Sequence, residues 1–156
     1  MHLATLFVCL LLPLSVSAND KIVREMARQT HLTEAEIREH RESGCASGVQ
    51  LYMNICSLYG YYVADAALNE QYSSLHLRLK EATARDRLTK AQRAWVAWRD
   101  ASCDFETSTW EGGSFRPTAL ALCRKSMTEE RTKQITASLQ CESEPCPELN
   151  KGERKQ

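Results

Sequence analysis

The sequence has little proline or glycine, no excess of either charge and no apolar run long enough to span a membrane. Its 156 residues include four prolines and six glycines, which excludes collagen-like and low-complexity chains. Twenty basic and twenty acidic side chains leave a formal net charge of zero. Because binding to nucleic acid requires a marked basic excess, this balance argues against a nucleic-acid partner. The length fits one domain of ordinary size.

Motifs of catalysis and cofactor binding are also missing. The sequence has no phosphate-binding loop, dinucleotide fingerprint, zinc-protease helix or nucleophile elbow. The histidines after residue 18 are isolated and stand at no ligand spacing from the cysteines, so neither a Cys/His nucleophile pair nor a zinc site is predicted. Asp100 and Asp104 have the spacing of paired acid–base carboxylates, but a solvated helix side has it too. We therefore expect no catalytic residue, no metal and no cofactor.

The first residues have the pattern of a secretory signal peptide. Residues 3–14 form an apolar run that is too short to cross a bilayer, and the triplet Val16-Ser17-Ala18 follows with small residues at both ends. Cleavage before Asn19 would leave no membrane anchor. Cys9 offers a lipoprotein alternative, but the residues before it lack the small side chains that precede a lipidated cysteine. We predict a periplasmic or secreted protein, with residues 1–18 as its signal peptide.

Six cysteines remain after this segment, and an even number in an exported chain predicts up to three disulfides. They are Cys45, Cys56, Cys103, Cys123, Cys141 and Cys146. Six cysteines allow 15 sets of pairs. A helical hairpin that turns near Gly113 would bring Cys103 opposite Cys123, and we favour this pair. Cys45 and Cys56 cannot pair if the residues between them are helical, since eleven helical residues rise about 16 Å and bridged Cα atoms lie within about 7 Å.

Hydrophobic periodicity predicts helices over most of the chain between residues 19 and 141. Residues 19–44 are expected to form a helical N-terminal appendage, in which Thr33 and Glu36 make a capping box. The main domain spans residues 45–141. The charged residues 142–156 are expected to be a disordered tail.

The main domain is predicted to begin with two long helices. They extend over about residues 47–82 and 89–106, and two shorter helical pieces follow at 118–125 and 128–139. A turn near residue 84 would make the long helices antiparallel. The fold class is therefore all-α, a small disulfide-bonded helical bundle built on a long antiparallel helical hairpin.

Three polar residues fall on the apolar stripes of the two long helices. Asp65 and Asn69 interrupt the stripe of the first helix, and Arg99 interrupts that of the second. In an antiparallel pair Arg99 lies opposite Asn69, and Asp65 lies one turn away. Because buried polar groups need partners, we predict an Asp65–Arg99 ion pair with Asn69 alongside, as a structural polar core.

The connection after the second long helix has the composition of a binding loop. Its candidate residues are Trp110, Glu111, Gly112, Gly113, Ser114 and Arg116. The tryptophan would be an apolar anchor, the serine a hydrogen-bonding tip and the two charged residues a pair of opposite charges beside it. The alternative is a plain connector with Trp110 packed over the hairpin. Trp95, Trp98 and Phe105 are instead expected in the core, because they share the stripe of the second helix.

Several motifs of residues 45–141 occur together in one known family. They are Cys45, MNIC at 53–56, ADAALN at 64–69, AQRAWVAWRDASC at 91–103, EGGS at 111–114, Cys123 and TEER at 128–131. In these motifs the chain resembles the LprI-like lysozyme inhibitor family. The resemblance implies an all-helical exported domain and a founding mycobacterial member that inhibits lysozyme. Residues 19–44 lie outside the family pattern, and the chain lacks the lipobox of the lipoprotein that named the family.

Charge restricts how such an inhibitor would bind. Residues 45–141 contain 12 basic and 10 acidic side chains, a net charge of +2 that would not steer a strongly cationic lysozyme. Inhibition would then depend on shape, with a loop entering the glycan cleft. The predicted partner is a lysozyme or another peptidoglycan hydrolase, such as an amidase toxin for which this chain is the immunity protein. The alternative is a cell-envelope binding or structural module with a different ligand and no inhibitory activity.

Overall fold

The structure, a computed structural model, describes residues 18–141 and 146–149. The predicted signal peptide, apart from Ala18, and most of the predicted tail lie outside the described residues. The helices are α1 (Ala18–Gln29), α2 (Glu34–Gly44), α3 (Gln50–Arg78), α4 (Ala82–Glu106) and α5 (Arg116–Gln140), with a 3-10 turn at Ser108–Trp110 between the last two. The predicted all-α class is confirmed.

The capping box predicted at the start of α2 is present. The Thr33 hydroxyl accepts a hydrogen bond from the Glu36 backbone N–H at 3.2 Å, and the Glu36 carboxylate accepts one from the Thr33 N–H at 2.8 Å. Hydrogen bonds from the Thr33 backbone and side chain favour the charged carboxylate and lower the pKa of Glu36. Local hydrogen bonding therefore fixes where this helix begins.

Two predicted helix boundaries are wrong. The helix α4 begins at Ala82 and not near Thr89, because residues 82–88 contain no proline or glycine that would prevent helix formation before the apolar stripe begins. The two predicted pieces after the loop are one continuous helix, α5, which has Pro117 in its first turn. Nothing between residues 125 and 128 interrupts its backbone hydrogen bonds, although the apolar pattern is broken there.

Contacts between helices show that α3, α4 and α5 run up, down and up. Tyr72 of α3 lies 3.1 Å from the hydroxyl of Thr89, near the start of α4, while Asp65 contacts Arg99, farther along α4. This order makes α3 and α4 antiparallel, as predicted. The helix α5 runs parallel to α3, because its beginning contacts the beginning of α3 and its end lies beside Arg78, whose guanidinium donates to the Leu139 carbonyl at 3.2 Å.

The closest packing in the bundle joins α3 to α5 and not α3 to α4. Both helices bury small side chains, Ala64 on α3 and Ala121 and Thr128 on α5, and Gly60 of α3 lies against the Lys125 side chain of α5. Small residues let two helix axes approach, whereas the bulky Arg99 and Trp95 of α4 keep that helix farther away. The hairpin predicted from the sequence is therefore joined by a third helix that packs more tightly than the hairpin does.

Residues 19–44 pack against the first half of α3. Ile22, Val23 and Met26 of α1 and Ile37 of α2 are buried together with Ile55 of α3. Burial of each such side chain contributes about 1.5–3 kcal/mol. The N-terminal helices thus share a hydrophobic core with the main domain.

A second apolar cluster holds the opposite end of the bundle, and a polar layer separates it from the first. Leu68, Leu75 and Leu79 of α3 pack with Ile135 of α5. The polar layer between the two clusters contains Arg99, which is 3% exposed. The core is consequently divided along α3 into apolar, polar and apolar segments.

Two residues of the predicted tail, Glu148 and Leu149, contact the bundle. The backbone N–H of Lys80 donates to the Glu148 carbonyl at 3.2 Å, and Leu149 packs against the second apolar cluster. The tail was expected to be disordered, whereas residues 146–149 are described by the structure and Leu149 covers part of an apolar surface. A disulfide between Cys141 and Cys146 brings this segment back toward the end of α5.

The favoured disulfide, Cys103–Cys123, is present and joins α4 to α5 beyond the polar layer. Cys45 and Cys56 also pair, with their Cα atoms 5.7 Å apart. The pair was excluded only for a continuous helix between the two cysteines, and residues 45–49 lie outside α2 and α3. The chain turns between α2 and α3, where Gly48 has φ +74°, and this turn brings Cys45 back beside the first turns of α3.

Candidate functional site

The predicted binding loop lies at the end of the bundle where α4 turns back into α5. Four backbone hydrogen bonds shape it. The N–H groups of Trp110, Glu111, Gly113 and Arg116 donate to the carbonyl groups three residues earlier in the chain. Gly112 has φ +73°, a left-handed conformation that other residues rarely adopt. A glycine is therefore required at position 112, and the loop has a defined shape.

Side chains hold this loop in place from both sides. The Arg116 guanidinium contacts Asp104 at 2.6 Å and Glu111 at 2.8 Å, which ties the loop to the end of α4. Asn54 of α3 donates to the Ser114 carbonyl at 3.3 Å. The Cys103–Cys123 bridge joins the two helices immediately behind the loop. A loop held in this way loses little conformational entropy when it binds a partner.

The residues proposed for recognition are exposed on this braced loop. Glu111, Gly112, Gly113 and Ser114 are exposed, and Trp110 is 43% exposed. The Trp110 ring packs edge-on against Phe115, with ring centroids 5.5 Å apart. Glu111 and Arg116 were expected as opposite charges on either side of Ser114, and they pair with each other. The free surface of the loop therefore presents an aromatic pair, glycine backbone and a serine hydroxyl.

Two aromatic residues predicted to be buried are exposed. Trp98 is 58% exposed and Phe105 is 79% exposed, whereas Trp95 is half-buried as its stripe predicts. The prediction assigned too many positions of α4 to its buried face. The buried side of α4 is centred on Arg99 and Cys103, and Trp98 and Phe105 point away from that line.

The polar residues of the hairpin meet at the middle of the bundle. Arg99 lies 3.5 Å from Asp65, donates to Asp100 through Nε at 3.0 Å and donates to the Thr128 hydroxyl at 3.2 Å. Its guanidinium is also stacked between two rings, 5.2 Å from the Trp95 centroid and 5.3 Å from that of Tyr61. The predicted Asp65–Arg99 ion pair is therefore part of a larger network that joins α3, α4 and α5.

Asn69 does lie beside Asp65, to which it donates at 2.9 Å, but it is exposed. Asp65 is half-buried, with its side chain 33% exposed. Of the three residues predicted as a polar core, Arg99 alone is buried. The other two lie where the network reaches the surface.

A surface groove of about 910 Å³ opens above this network. Its floor includes Asp65, Asp100 and Arg124, and its walls include the side chains of Tyr61 and Tyr62. The helix α1 forms the opposite rim, with Lys21, Arg24, Glu25 and Arg28. Aromatic walls and a floor of paired charges are suited to a small polar ligand.

Burial affects both tyrosines of this groove. It raises the pKa of Tyr62 to about 12, with Glu25 as a further cause, and it raises the pKa of Tyr61, to which Asp65 adds. The Tyr62 hydroxyl donates to Gln29 of α1 at 2.6 Å. Both phenols therefore stay protonated at neutral pH, and Tyr62 ties the rim of the groove to its wall.

The carboxylates with acid–base spacing are each engaged by arginine. Asp100 contacts Arg99 and Arg124, and Asp104 contacts Arg116. Within residues 18–141 and 146–149, no three His, Cys, Asp or Glu side chains lie close enough to hold a metal ion. Over the same ranges, no helix combines the length and the apolar character that crossing a membrane requires.

Comparison with known proteins assigns the chain to a family. The family model described as lysozyme inhibitor LprI matches residues 42–135, which contain α3, α4, the loop and most of α5. The chain belongs to the LprI lysozyme inhibitor family. It is also 34% identical over 107 residues to an uncharacterized protein of Rhizobium meliloti (strain 1021), covering 60% of this chain and 77% of that protein. No solved structure matches the chain.

The family match separates two parts of the molecule. It includes the binding loop, the Arg99 network and the Cys103–Cys123 bridge, but it begins at residue 42 and so leaves out α1. The groove therefore has a floor and walls within the matched residues and a rim outside them. Binding of a ligand through the rim would therefore depend on residues outside the family match.

Three residues near these sites had no role in the sequence prediction. Phe115 stacks on Trp110, Arg124 completes the floor of the groove, and Asn54 holds the loop. An aromatic residue next to a Gly-Gly-Ser segment could have suggested a partner for Trp110. Arg124 and Asn54 gave no such signal, because their partners are on other helices and only the packing of the bundle brings them together.

Proposed function

We propose that this protein is exported and inhibits a peptidoglycan-degrading enzyme, either a lysozyme or an amidase toxin for which it is the immunity protein. It acts by binding and not by catalysis. Membership of the LprI lysozyme inhibitor family supports this proposal. Three disulfides support export, because such bonds form and persist in oxidising compartments.

The observation that carries the proposal is the exposed and braced loop from Trp110 to Arg116. Trp110 and Phe115 present an aromatic anchor of the kind that dominates protein interfaces. The Ser114 hydroxyl and the backbone at Gly112 and Gly113 can form hydrogen bonds with groups that line a glycan cleft. Because the loop is held by Arg116 and by the disulfide behind it, it enters such a cleft in its final shape.

The direct test is an inhibition assay with the oxidised, signal-free protein. Clearing of a cell-wall suspension would be followed for a panel of lysozymes and bacterial amidases, with and without the protein. We expect stoichiometric inhibition of at least one enzyme and loss of inhibition after reduction of the disulfides. If every lysozyme and amidase of the panel retains full activity at a large excess of the oxidised protein, the proposal is wrong.

The groove supports a second candidate function, that of an envelope module with a small polar ligand. Its aromatic walls and its floor of Asp65, Asp100 and Arg124 are the observation that favours it. Calorimetric titration with soluble peptidoglycan fragments tests this function, and Asn69→Ala should weaken binding because Asn69 is exposed beside the floor. Inhibition of a hydrolase without binding of any fragment would reject this second candidate.

A further inference from the structure

The helix α4 presents an apolar stripe to solvent along most of its length. Five exposed side chains recur at alternating spacings of three and four residues: Ala91, Ala94, Trp98, Ala101 and Phe105. Alternation of three and four is the spacing by which two helices pair side by side. Within the described residues nothing covers this stripe, because α3 and α5 pack on the opposite side of α4, around Arg99 and Cys103.

Large exposed aromatic residues that lie in line on one face of a helix are typical of an interaction surface. Trp98 and Phe105 are the two most exposed aromatic residues of the described chain. A lone exposed aromatic residue would need no explanation, but these two lie seven residues apart on a line that alanines complete. The stripe is therefore a continuous surface and not a set of separate side chains.

The stripe is complementary in shape to itself. Trp98 is flanked on the exposed side by Ala94, Ala97 and Ala101, so that one large side chain stands among small ones. A second α4 can lie antiparallel to the first, with a twofold axis between Ala97 and Trp98. Each tryptophan then packs on the alanines of the partner helix. Both copies then pack one large side chain against small ones in the same way, as a twofold contact requires.

The charges beside the stripe favour the same arrangement. The first half of α4 exposes Arg87, Lys90 and Arg93 together with one acid, Asp86, while the second half exposes Asp104 and Glu106. Antiparallel pairing about the axis between Ala97 and Trp98 places Lys90 of each copy within one turn of Asp104 of the other. Parallel pairing would instead place like charges opposite each other.

We propose that the α4 stripe joins two copies of this chain as an antiparallel, twofold-symmetric dimer. The binding loops follow the C-terminal ends of the two α4 helices, so they lie at opposite ends of the dimer. This assembly is independent of the proposed function, because the stripe lies on the side of α4 and the loop beyond its end. The dimer would present two loops without blocking either of them.

Sedimentation of the oxidised, signal-free protein tests the assembly. The expected mass at about 100 µM is twice that of the chain, since a specific interface is occupied well below this concentration. Trp98→Glu should yield monomers, whereas the matched control Leu77→Glu, at a residue of α3 that is 76% exposed, should stay dimeric. Circular dichroism would verify that both variants remain folded.

Cysteine cross-linking tests the antiparallel register. Ala97→Cys places two thiols next to the axis, and a covalent dimer is expected. Lys90→Cys places its two thiols about 22 Å apart along antiparallel helices, so no cross-link is expected. Equal cross-linking at both positions would overturn the register. A wild-type protein that is monomeric at about 100 µM would overturn the dimer. If the Trp98→Glu variant of that monomer also lost hydrolase inhibition, the stripe would be a contact with the target.

Discussion

Two arginines of this molecule each bind two carboxylates, in very different surroundings. Arg99 contacts Asp65 and Asp100 in the middle of the bundle, with only 4% of its side chain exposed. Arg116 contacts Asp104 and Glu111 at the end of the bundle, with 23% of its own side chain and most of its partners' side chains exposed. The same chemical arrangement is therefore found once inside the fold and once at its surface.

The difference shows how burial changes the consequence of an ion pair. Removal of Arg99 would leave the buried Thr128 hydroxyl without this donor and half-buried Asp65 without its arginine, while Asp100 would keep Arg124. Removal of Arg116 would leave carboxylates that water solvates at once. We therefore assign Arg99 to the stability of the bundle and Arg116 to the shape of the binding loop.

The largest effect is expected from Arg99→Leu. This change should destabilise the protein by about 3 kcal/mol, because it takes the arginine partner from Asp65 and the donor from the buried Thr128 hydroxyl between two apolar clusters. Urea denaturation of the oxidised protein would measure the loss. Replacement of Asp65 by leucine in the same variant should restore part of it, since the strongest uncompensated charge would then be absent.

Arg116→Leu is the matched control for this prediction. It removes the same number of ion pairs from an exposed site, so the expected loss is below about 1 kcal/mol. Similar losses for the two variants would break the comparison. The same conclusion would follow if Arg99→Leu melted within about 2 °C of the wild type, because a loss of 3 kcal/mol shifts the melting temperature of a chain of this size by about 10 °C.

The next effect is smaller and concerns the free energy of target binding of the Glu111→Lys variant. Reversal of this exposed charge should weaken binding of the inhibited hydrolase at least tenfold, about 1.4 kcal/mol, because the loop would meet its target with two adjacent cations. The change in unfolding free energy should stay below about 1 kcal/mol. Glu130→Lys, at an exposed position of α5, is the matched control and should bind normally. If the Glu111→Lys and Glu130→Lys variants bind the hydrolase with equal affinity, Glu111 is not part of the interface.

The smallest effect concerns the wall of the groove near Arg99. Burial raises the pKa of Tyr62 from 10.0 to about 12, so its neutral form is favoured in the folded protein. The stability from this burial is complete below about pH 10 and is lost as the pH rises toward 12. Tyrosinate absorbance of wild type and Tyr62→Phe should therefore differ by a step near pH 12. A difference step near pH 10 in its place would show that Tyr62 is solvated.

Much of the fold could be predicted from the sequence, because local chemistry decides it. The capping box of Thr33 and Glu36 and the helical period around Arg99 depend on residues three or four positions apart. The spacing between Cys103 and Cys123 across a glycine-containing turn also predicted their pairing. The packing of α5 against α3 could not be predicted in this way, since it depends on small residues that a search for apolar stripes passes over.

The candidate site was predictable in part, for a related reason. The loop was recognised because glycine, tryptophan and charge occur together in consecutive residues. Its bracing by Asn54 and the groove between α1 and α3 depend on residues far apart in the sequence. The prediction for Trp98 was wrong because the buried face of α4 is centred on a polar residue, Arg99. The apolar pattern of this helix therefore does not indicate which face is buried.

The proposal that the loop binds the target can be tested most directly by one pair of variants. Ser114→Arg adds a large side chain to the exposed tip, whose backbone carbonyl and not its hydroxyl accepts from Asn54, and Ser126→Arg makes the same change at an exposed position of α5. The affinity of the inhibited hydrolase would be measured for both variants, together with their melting temperatures. We predict that Ser114→Arg weakens binding at least tenfold, about 1.4 kcal/mol, and that Ser126→Arg binds as the wild type does, with both melting temperatures unchanged. Wild-type affinity of Ser114→Arg would contradict the account and assign target binding to another face of the molecule.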